Sequence, residues 1–353
     1  MFHLSTVLAL CITAYAANIP SPLSRRAIPD PICTGVCTGT IRDPYVLRRD
    51  DGTWFRFTTE GNIRIATAPS ISGPWSTNSG EAGALLPGGS IIHLSDDQRL
   101  WAPNVFYSNG LFYNYYTVSQ IGSQNSAIGV ATSATADPGT WTDHGSIDLP
   151  ANSQYNRIDA NFFRTCATCT PYLYFGSSWD GVFQTTLTSD LLKWSGESPI
   201  NIVKNTTFPA VVVKNPYPSI VEAPFMWWLP IDGTTYFWMF FSSGACCNTP
   251  SSEGGLEAPG DEYKIMACRS TSINGPWKDK DSRDCATENG GSVVLRSHGD
   301  TYAPGGQGVA YDPDSNRYAL YYHYVNKADG TYDDFRFGFN WVDFSTGWPE
   351  VVE

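Results

Sequence analysis

Charge is scarce in this chain. Only 16% of its 353 residues are charged, and the basic side is the thinner one: 22 Lys and Arg against 34 Asp and Glu, for a formal net charge of −12. Such a surface repels phosphate backbones and anionic headgroups, which excludes nucleic acid and membrane surfaces as partners and leaves a neutral polymer compatible. Long apolar runs are missing beyond the first few residues, so no later segment reads as a membrane-spanning helix. Long segments of helical apolar period are missing too, which argues against a helical bundle. No Gly-x-Ser-x-Gly elbow occurs, and no phosphate-cradling glycine loop. What is abundant is Gly (32), Pro (24) and aromatic residues (14%), a loop-rich all-β composition with 42% hydrophobic residues to build a core.

The N-terminus reads as an export signal. Leu4 to Ala14 is mostly apolar, and Ala14-Tyr15-Ala16 fits a small-x-small cleavage site, so residues 1–16 are expected to be removed. Residues 17–30 follow as a linker or short pro-segment, with Ser24-Arg25-Arg26 either a processing site or an ordinary charge pair. Residues 31–353 form one domain. Of the 9 cysteines, Cys11 leaves with the signal. The others lie in close pairs: Cys33 with Cys37, Cys166 with Cys169, Cys246 with Cys247 and Cys268 with Cys285. An exported chain is expected to oxidise them. Sequence leaves the connectivity open; local pairing is the expectation, because the partners fall within single repeats. Asn205-Thr206-Thr207 is a glycosylation sequon, expected on a surface loop. The chain is expected to be secreted and monomeric.

A repeat runs nearly end to end. Its openings are Asp43-Pro44-Tyr45-Val46, Ala102-Pro103-Asn104-Val105, Asp159-Ala160-Asn161-Phe162, Glu222-Ala223-Pro224-Phe225 and Ala303-Pro304-Gly305-Gly306. Aromatic-rich alternating strands follow, such as Trp54 to Thr59 and Leu111 to Thr117. The units close on Trp75, Trp141, Trp194, Trp277 and Trp348. Five units of roughly 60 residues, each with several strands, predict a five-bladed β-propeller. Most of the aromatic residues are expected to pack blade against blade. With the opening strand innermost, Asp43, Asp159 and Glu222 share one register and face one axial cavity.

A single Asp-Pro is ordinarily a turn. Three carboxylates at one mouth are a chemical device. Two suffice to hydrolyse a glycosidic bond, one protonating the departing oxygen and the other activating water or attacking directly. A third raises the acid's pKa by repulsion and positions the sugar. Trp101 and Trp179, beside this register, are candidate platforms for the apolar face of a sugar ring.

Asp43-Pro44, Tyr155-Asn156-Arg157-Ile158-Asp159 and Val221-Glu222-Ala223-Pro224 resemble the three catalytic blocks of glycoside hydrolase family 43, and within it the arabinanases. The likeness extends to Leu100-Trp101-Ala102-Pro103, Gly122-Ser123 through Ser126-Ala127-Ile128-Gly129, Phe175-Gly176-Ser177-Ser178-Trp179 and Cys246-Cys247. It covers essentially the whole mature chain in order. The resemblance implies an inverting enzyme that cleaves α-1,5-linked arabinan of plant cell-wall pectin internally. It implies Asp43 as general base, Glu222 as general acid and Asp159 as the residue that tunes the acid and orients substrate. It implies substrate contacts at Gly122, Asn156, Arg157, Ile158, Ser177, Ser178 and Trp179. Three positions depart from the family pattern. Arg42 replaces the usual His before the base and is a candidate contact for sugar hydroxyls or the carboxylates. Ala160 replaces a Pro. Gly306 replaces the His that helps hold an axial cation such as calcium, so no cofactor is required by these residues; His298 and His323 are the candidate substitutes. An exo-acting family 43 enzyme, such as an arabinofuranosidase, xylosidase or galactanase, is one rival reading. A non-catalytic carbohydrate-binding propeller is the other, and it predicts a missing carboxylate.

Overall fold

A computed structural model describes residues 27–206, 220–246, 255–328 and 334–353. It contains five four-stranded antiparallel sheets, each a meander of consecutive strands. Blade 1 holds β1 (Arg42–Arg48), β2 (Trp54–Thr59), β3 (Arg64–Ala68) and β4 (Ser76–Thr77). Blade 2 holds β5 (Arg99–Ser108), β6 (Leu111–Ser119), β7 (Ala127–Ser133) and β8 (Thr142–Ser146). Blade 3 holds β9 (Asn161–Phe163), β10 (Tyr172–Phe175), β11 (Val182–Thr186) and β12 (Ile200–Val203). Blade 4 holds β13 (Val221–Ile231), β14 (Thr234–Ser243), β15 (Lys264–Ser270) and β16 (Ser292–Leu295). Blade 5 holds β17 (Thr301–Asp312), β18 (Arg317–Asn326), β19 (Phe335–Asp343) and β20 (Glu350–Val352). The expected five-bladed propeller is thus the observed fold. No helix among the described residues is long and apolar enough to cross a membrane.

Local chemistry explains the hairpins. Between β5 and β6 the turn is Asn109-Gly110, with φ of 52° and 83°; between β13 and β14 it is Asp232-Gly233, with φ of 49° and 78°. Both turns need two left-handed residues, which Asn-Gly and Asp-Gly supply at least cost, and their twist matches the strands they join. The strands themselves are aromatic or β-branched on both faces, since each sheet is covered on both sides. Phe55, Phe57, Tyr116 and Val118 are fully enclosed between blades 1 and 2. The Trp that closes each unit is a wedge between blades: Trp75 meets Phe337 edge-on at 5.7 Å, and Trp141 meets Phe57 at 6.0 Å.

The ring closes through the segment before β1. Ile32 exchanges backbone hydrogen bonds with Phe339, and the Phe337 amide donates to the Cys37 carbonyl, so this segment extends the outer edge of blade 5. On its other side it bonds blade 1, with Trp75 N–H donating to Thr34 O at 2.9 Å. Arg56 fixes it from below, donating to Val36 O at 2.9 Å while packing against the rings of both Trp75 and Phe337.

Disulfides join Cys33 to Cys37, Cys166 to Cys169 and Cys268 to Cys285. The expected Cys246–Cys247 pairing lies outside the described residues, as do the signal at 1–16, Ser24-Arg25-Arg26 and Thr207 of the sequon.

Candidate active site

In four of the five blades the innermost strand carries an irregularity near its start. There the pairing with the next strand gains one extra residue: between Arg42 and Tyr45, Trp101 and Asn104, Glu222 and Phe225, and Tyr302 and Gly305. The residue in the bulge is left-handed in every case: Asp43 (φ 46°), Ala102 (44°), Ala223 (54°) and Ala303 (50°), and Asp159 (58°) holds the same conformation in blade 3. Such bulges bend a strand and re-aim its side chains. Because three of the five are Ala, the strained backbone belongs to the architecture, and the carboxylates exploit it.

This corrects the expectation of one common register. Asp43 and Asp159 occupy the bulge position, whereas Glu222 stands one residue earlier, equivalent to Arg42 and Trp101. The extra methylene of Glu compensates for part of that offset. The three carboxyls nevertheless come together: the Ala223 amide donates to Asp159 Oδ2 at 3.1 Å, and charge on Asp43 bears on both Asp159 and Glu222. Asp43 and Asp159 line a small hub cavity of about 40 Å³ with Pro44, Pro103, Pro224 and Gly306. Ala223 lines it, but Glu222 does not.

Each carboxyl has fixed partners. Asp43 Oδ2 accepts from Thr59 Oγ1 at 2.6 Å, and its amide donates to His323 Nδ1 at 2.9 Å. Thr59 also accepts the Ala102 amide at 2.9 Å, coupling blade 1 to blade 2, and Thr117 accepts the Asp159 amide at 3.2 Å. Glu222 is held by both oxygens: Ser177 Oγ donates to Oε2 at 2.5 Å and Tyr263 Oη to Oε1 at 2.6 Å. Burial raises the Glu222 pKa and Asp43 adds to it, against the two hydroxyl donors. Burial raises Asp159 well above the carboxylate range, and repulsion from Glu222 and then Asp43 raises it further. Repulsion is reciprocal, so a proton on either Asp159 or Glu222 relieves both. His323 is pushed down to about 4 by burial, so it is neutral at neutral pH and its Nδ1 is free to accept the Asp43 amide.

The other expected contact residues divide into two groups. Gly122 is exposed in the turn between β6 and β7, and Trp101, Ser178 and Trp179 are half-buried. Ser178 and Trp179 are both left-handed, with φ of 50° and 39°, which turns their loop sharply over blade 3. Asn156 and Ile158 are buried. The Asn156 Oδ1 accepts from Ser126 at 2.5 Å, and Arg157 Nη1 donates to Leu149 O at 3.1 Å. The Ser177 hydroxyl faces Glu222. Arg42 places its guanidinium 4.2 Å from the centre of the Phe335 ring.

The hub does not fit an axial cation held by side chains. Gly306 offers none, and a Cβ there would stand 2.7 Å from both Cε1 and Nδ1 of His323. Asn104 and Asn161 already accept the amides of Phe162 and Met226, at 2.8 and 2.9 Å. Gln307 accepts from Ser242 and donates to Ala223 O. His323 Nε2 is buried with no hydrogen-bond partner among the described residues, but one imidazole is a poor match for a hard cation that takes about six to eight oxygens. His298 is away from the hub, against Pro29 O and Arg296 O.

Sequence reasoning missed Thr59, Tyr263, Ser242 and Gln307. It also missed the hub amides of Asn104 and Asn161, although both stand two residues after the bulge and that spacing was visible. Tyr263 lies just beyond an irregular insertion, where no periodicity could mark it.

Comparison with known proteins agrees with the geometry. The model of the family described as glycosyl hydrolases family 43 matches residues 80–349. An arabinan endo-1,5-alpha-L-arabinosidase A of Aspergillus aculeatus is 43% identical over 323 residues, covering 90% of this chain and 92% of the relative. Among solved structures, a Bacillus licheniformis endo-arabinanase superposes with a TM-score of 0.70 at 27% identity, over 90% of this chain and 99% of its own. An exo-1,5-alpha-L-arabinanase from a bovine ruminal metagenomic library gives a TM-score of 0.71 at 25% identity, over 89% and 97%. Fold, hub and likeness together define a propeller glycosidase. The chain belongs to glycosyl hydrolase family 43.

Proposed function

We propose that this chain is a secreted, monomeric enzyme that cleaves α-1,5-arabinofuranosidic bonds within the arabinan of plant cell-wall pectin, with inversion at the anomeric carbon. The linkage is drawn from the relatives named above. Asp43 removes the proton from the attacking water. Glu222 protonates the departing sugar oxygen. Asp159 tunes the proton affinity of Glu222 and orients the substrate. Inversion leaves room for the water, with base and acid roughly 6.5–9.5 Å apart. Gly122, Trp101, Ser178 and Trp179 contact the sugars; Asn156, Arg157, Ile158 and Ser177 support them from behind. No step is assigned to a cation.

The observation that carries the reading is the hub itself: Asp159 and Glu222 are half-buried beside Asp43, and desolvation with repulsion from Asp43 raises both. An acid catalyst must hold its proton at the working pH, and this environment supplies the means. The direct test is Glu222→Gln on debranched arabinan. Turnover is expected to fall on the order of 100-fold or more while oligosaccharide binding persists. Parent-level turnover would remove Glu222 from the reaction, and a wild-type protein that binds without hydrolysing would leave only the carbohydrate-binding reading.

The exo-acting reading is favoured by one observation, the fold's likeness to the metagenomic exo-arabinanase. Product size separates the two. Mixed short oligomers released early from arabinan support internal cleavage, and monomer or a single short product supports exo action.

A further inference from the structure

Tyr263 and Ser177 stand opposite each other across the Glu222 carboxyl. Tyr263 is enclosed, at 2% exposure, and Ser177 is at 5%. Their hydroxyls reach Oε1 at 2.6 Å and Oε2 at 2.5 Å. The two arrive from different blades. Ser177 comes from the loop after β10, whose backbone bridges Glu222 directly. Tyr263 precedes β15, and its amide is anchored on Ala245 O at 2.9 Å. The seat of the Tyr263 ring is built into blade 5: a Cβ on Gly305 would stand 1.9 Å from Tyr263 Cε1, so the ring rests on bare backbone. His323 lies parallel to it, with planes 5° apart and centroids at 6.1 Å.

We propose that Tyr263, together with Ser177, is a positioning residue that fixes the orientation of the Glu222 carboxyl and stabilises the carboxylate formed as its proton leaves. This rests on Glu222 being the general acid. The groups that face it come from every neighbouring blade: Asp43 from β1, Asp159 from the start of blade 3, Ser177 and Tyr263 as described. Neutral His323 stands behind Tyr263, with Arg42 beside it. Burial and Asp43 favour a protonated Glu222. With nothing to oppose them, the carboxyl holds its proton too tightly to surrender it. Two fixed O–H donors stabilise the charged form more than the neutral one, so their contribution grows along the reaction coordinate. Tyr263 serves as a constant donor because burial, and then Glu222, raises its own pKa well above that of a free phenol.

Tyr263→Phe keeps the ring and removes the donor. Expected are a kcat roughly 10-fold lower with KM little changed, and a shift to higher pH of the limb on which Glu222 loses its proton. Ser177→Ala is expected to act in the same direction. Thermal unfolding checks that each variant is folded, and Ser177→Ala decides if Tyr263→Phe is not. Parent kcat with an unmoved limb overturns the proposal, as does a loss of kcat with the limb in place, the signature of a purely structural role. Glu222→Gln in the same series separates the layers: an inactive Glu222→Gln beside two silent hydroxyl variants sinks only this inference. An active Glu222→Gln sinks the acid assignment on which it stands.

Discussion

Acidification is expected to loosen this propeller at its hub through His323, and the size of the effect follows from its burial. The imidazole is 2% exposed, accepts the Asp43 amide through Nδ1 and has its pKa pushed from 6.5 to about 4. Burial is the main cause; Arg42 pushes the same way, and Asp43 opposes. The unfolded chain takes up a proton near pH 6.5 that the folded chain resists until about 4, so stability is intact above 6.5 and is lost as pH falls through that window. A difference of about 2.5 units at about 1.4 kcal/mol each gives a loss of roughly 3 kcal/mol by pH 4. Asp159 and Glu222 work with the opposite sign, because their raised pKa values make the folded state gain from protonation as pH falls. Wild type alone therefore mixes the two. The clean measurement is urea unfolding from pH 7.5 to 4 for wild type and His323→Gln, whose amide can accept the Asp43 N–H without titrating. The difference between the two stabilities is expected to narrow by roughly 3 kcal/mol between pH 6.5 and 4. Parallel curves would refute the reasoning and show that His323 is not held neutral by the fold.

Two further outcomes follow from the packing. Arg56→Ala is expected to destabilise the fold by about 3 kcal/mol, because it leaves a cavity against Trp75 and Phe337 and frees Val36 O of the ring-closing segment; chemical denaturation measures it. Gly306→His is expected to lower activity rather than create a cation site, since its Cβ would stand 2.7 Å from His323 and 3.0 Å from Asp43 Oδ1. Assay of wild type and variant with and without a chelator checks it, with no difference expected in either.

Much of the fold was legible because repetition writes it several times over. Asn109-Gly110 and Asp232-Gly233 mark hairpins by local chemistry alone, and five spaced tryptophans mark five blade closures. The carboxylates were legible by the same repeat, but their exact alignment was not. Placing Glu222 in register with Asp43 and Asp159 assumed that every blade starts alike. The bulge puts Ala223, not Glu222, at the left-handed position; its trace in the sequence is the following Pro (Pro44, Pro103, Pro224 and Pro304 in four blades), not the bulge residue itself, which is Asp or Ala. Ser177 reads as one polar residue in a loop; only the crossing of that loop onto blade 4 turns its hydroxyl toward Glu222.

Sequence by itself determined the number of blades, the tryptophans that close them, the Gly- and Asp-containing turns, and which residue types meet the solvent or the core. These depend on neighbours within a few positions, where backbone preference and alternation act directly. The hub was decided by tertiary structure alone. Glu222, Ser177 and Tyr263 come from blades 4, 3 and 4 through different loops, and Asp43 meets His323 across 280 positions of chain. Closing the ring is what buries these groups together. Burial sets their proton affinities, and no reading along a linear chain contains it.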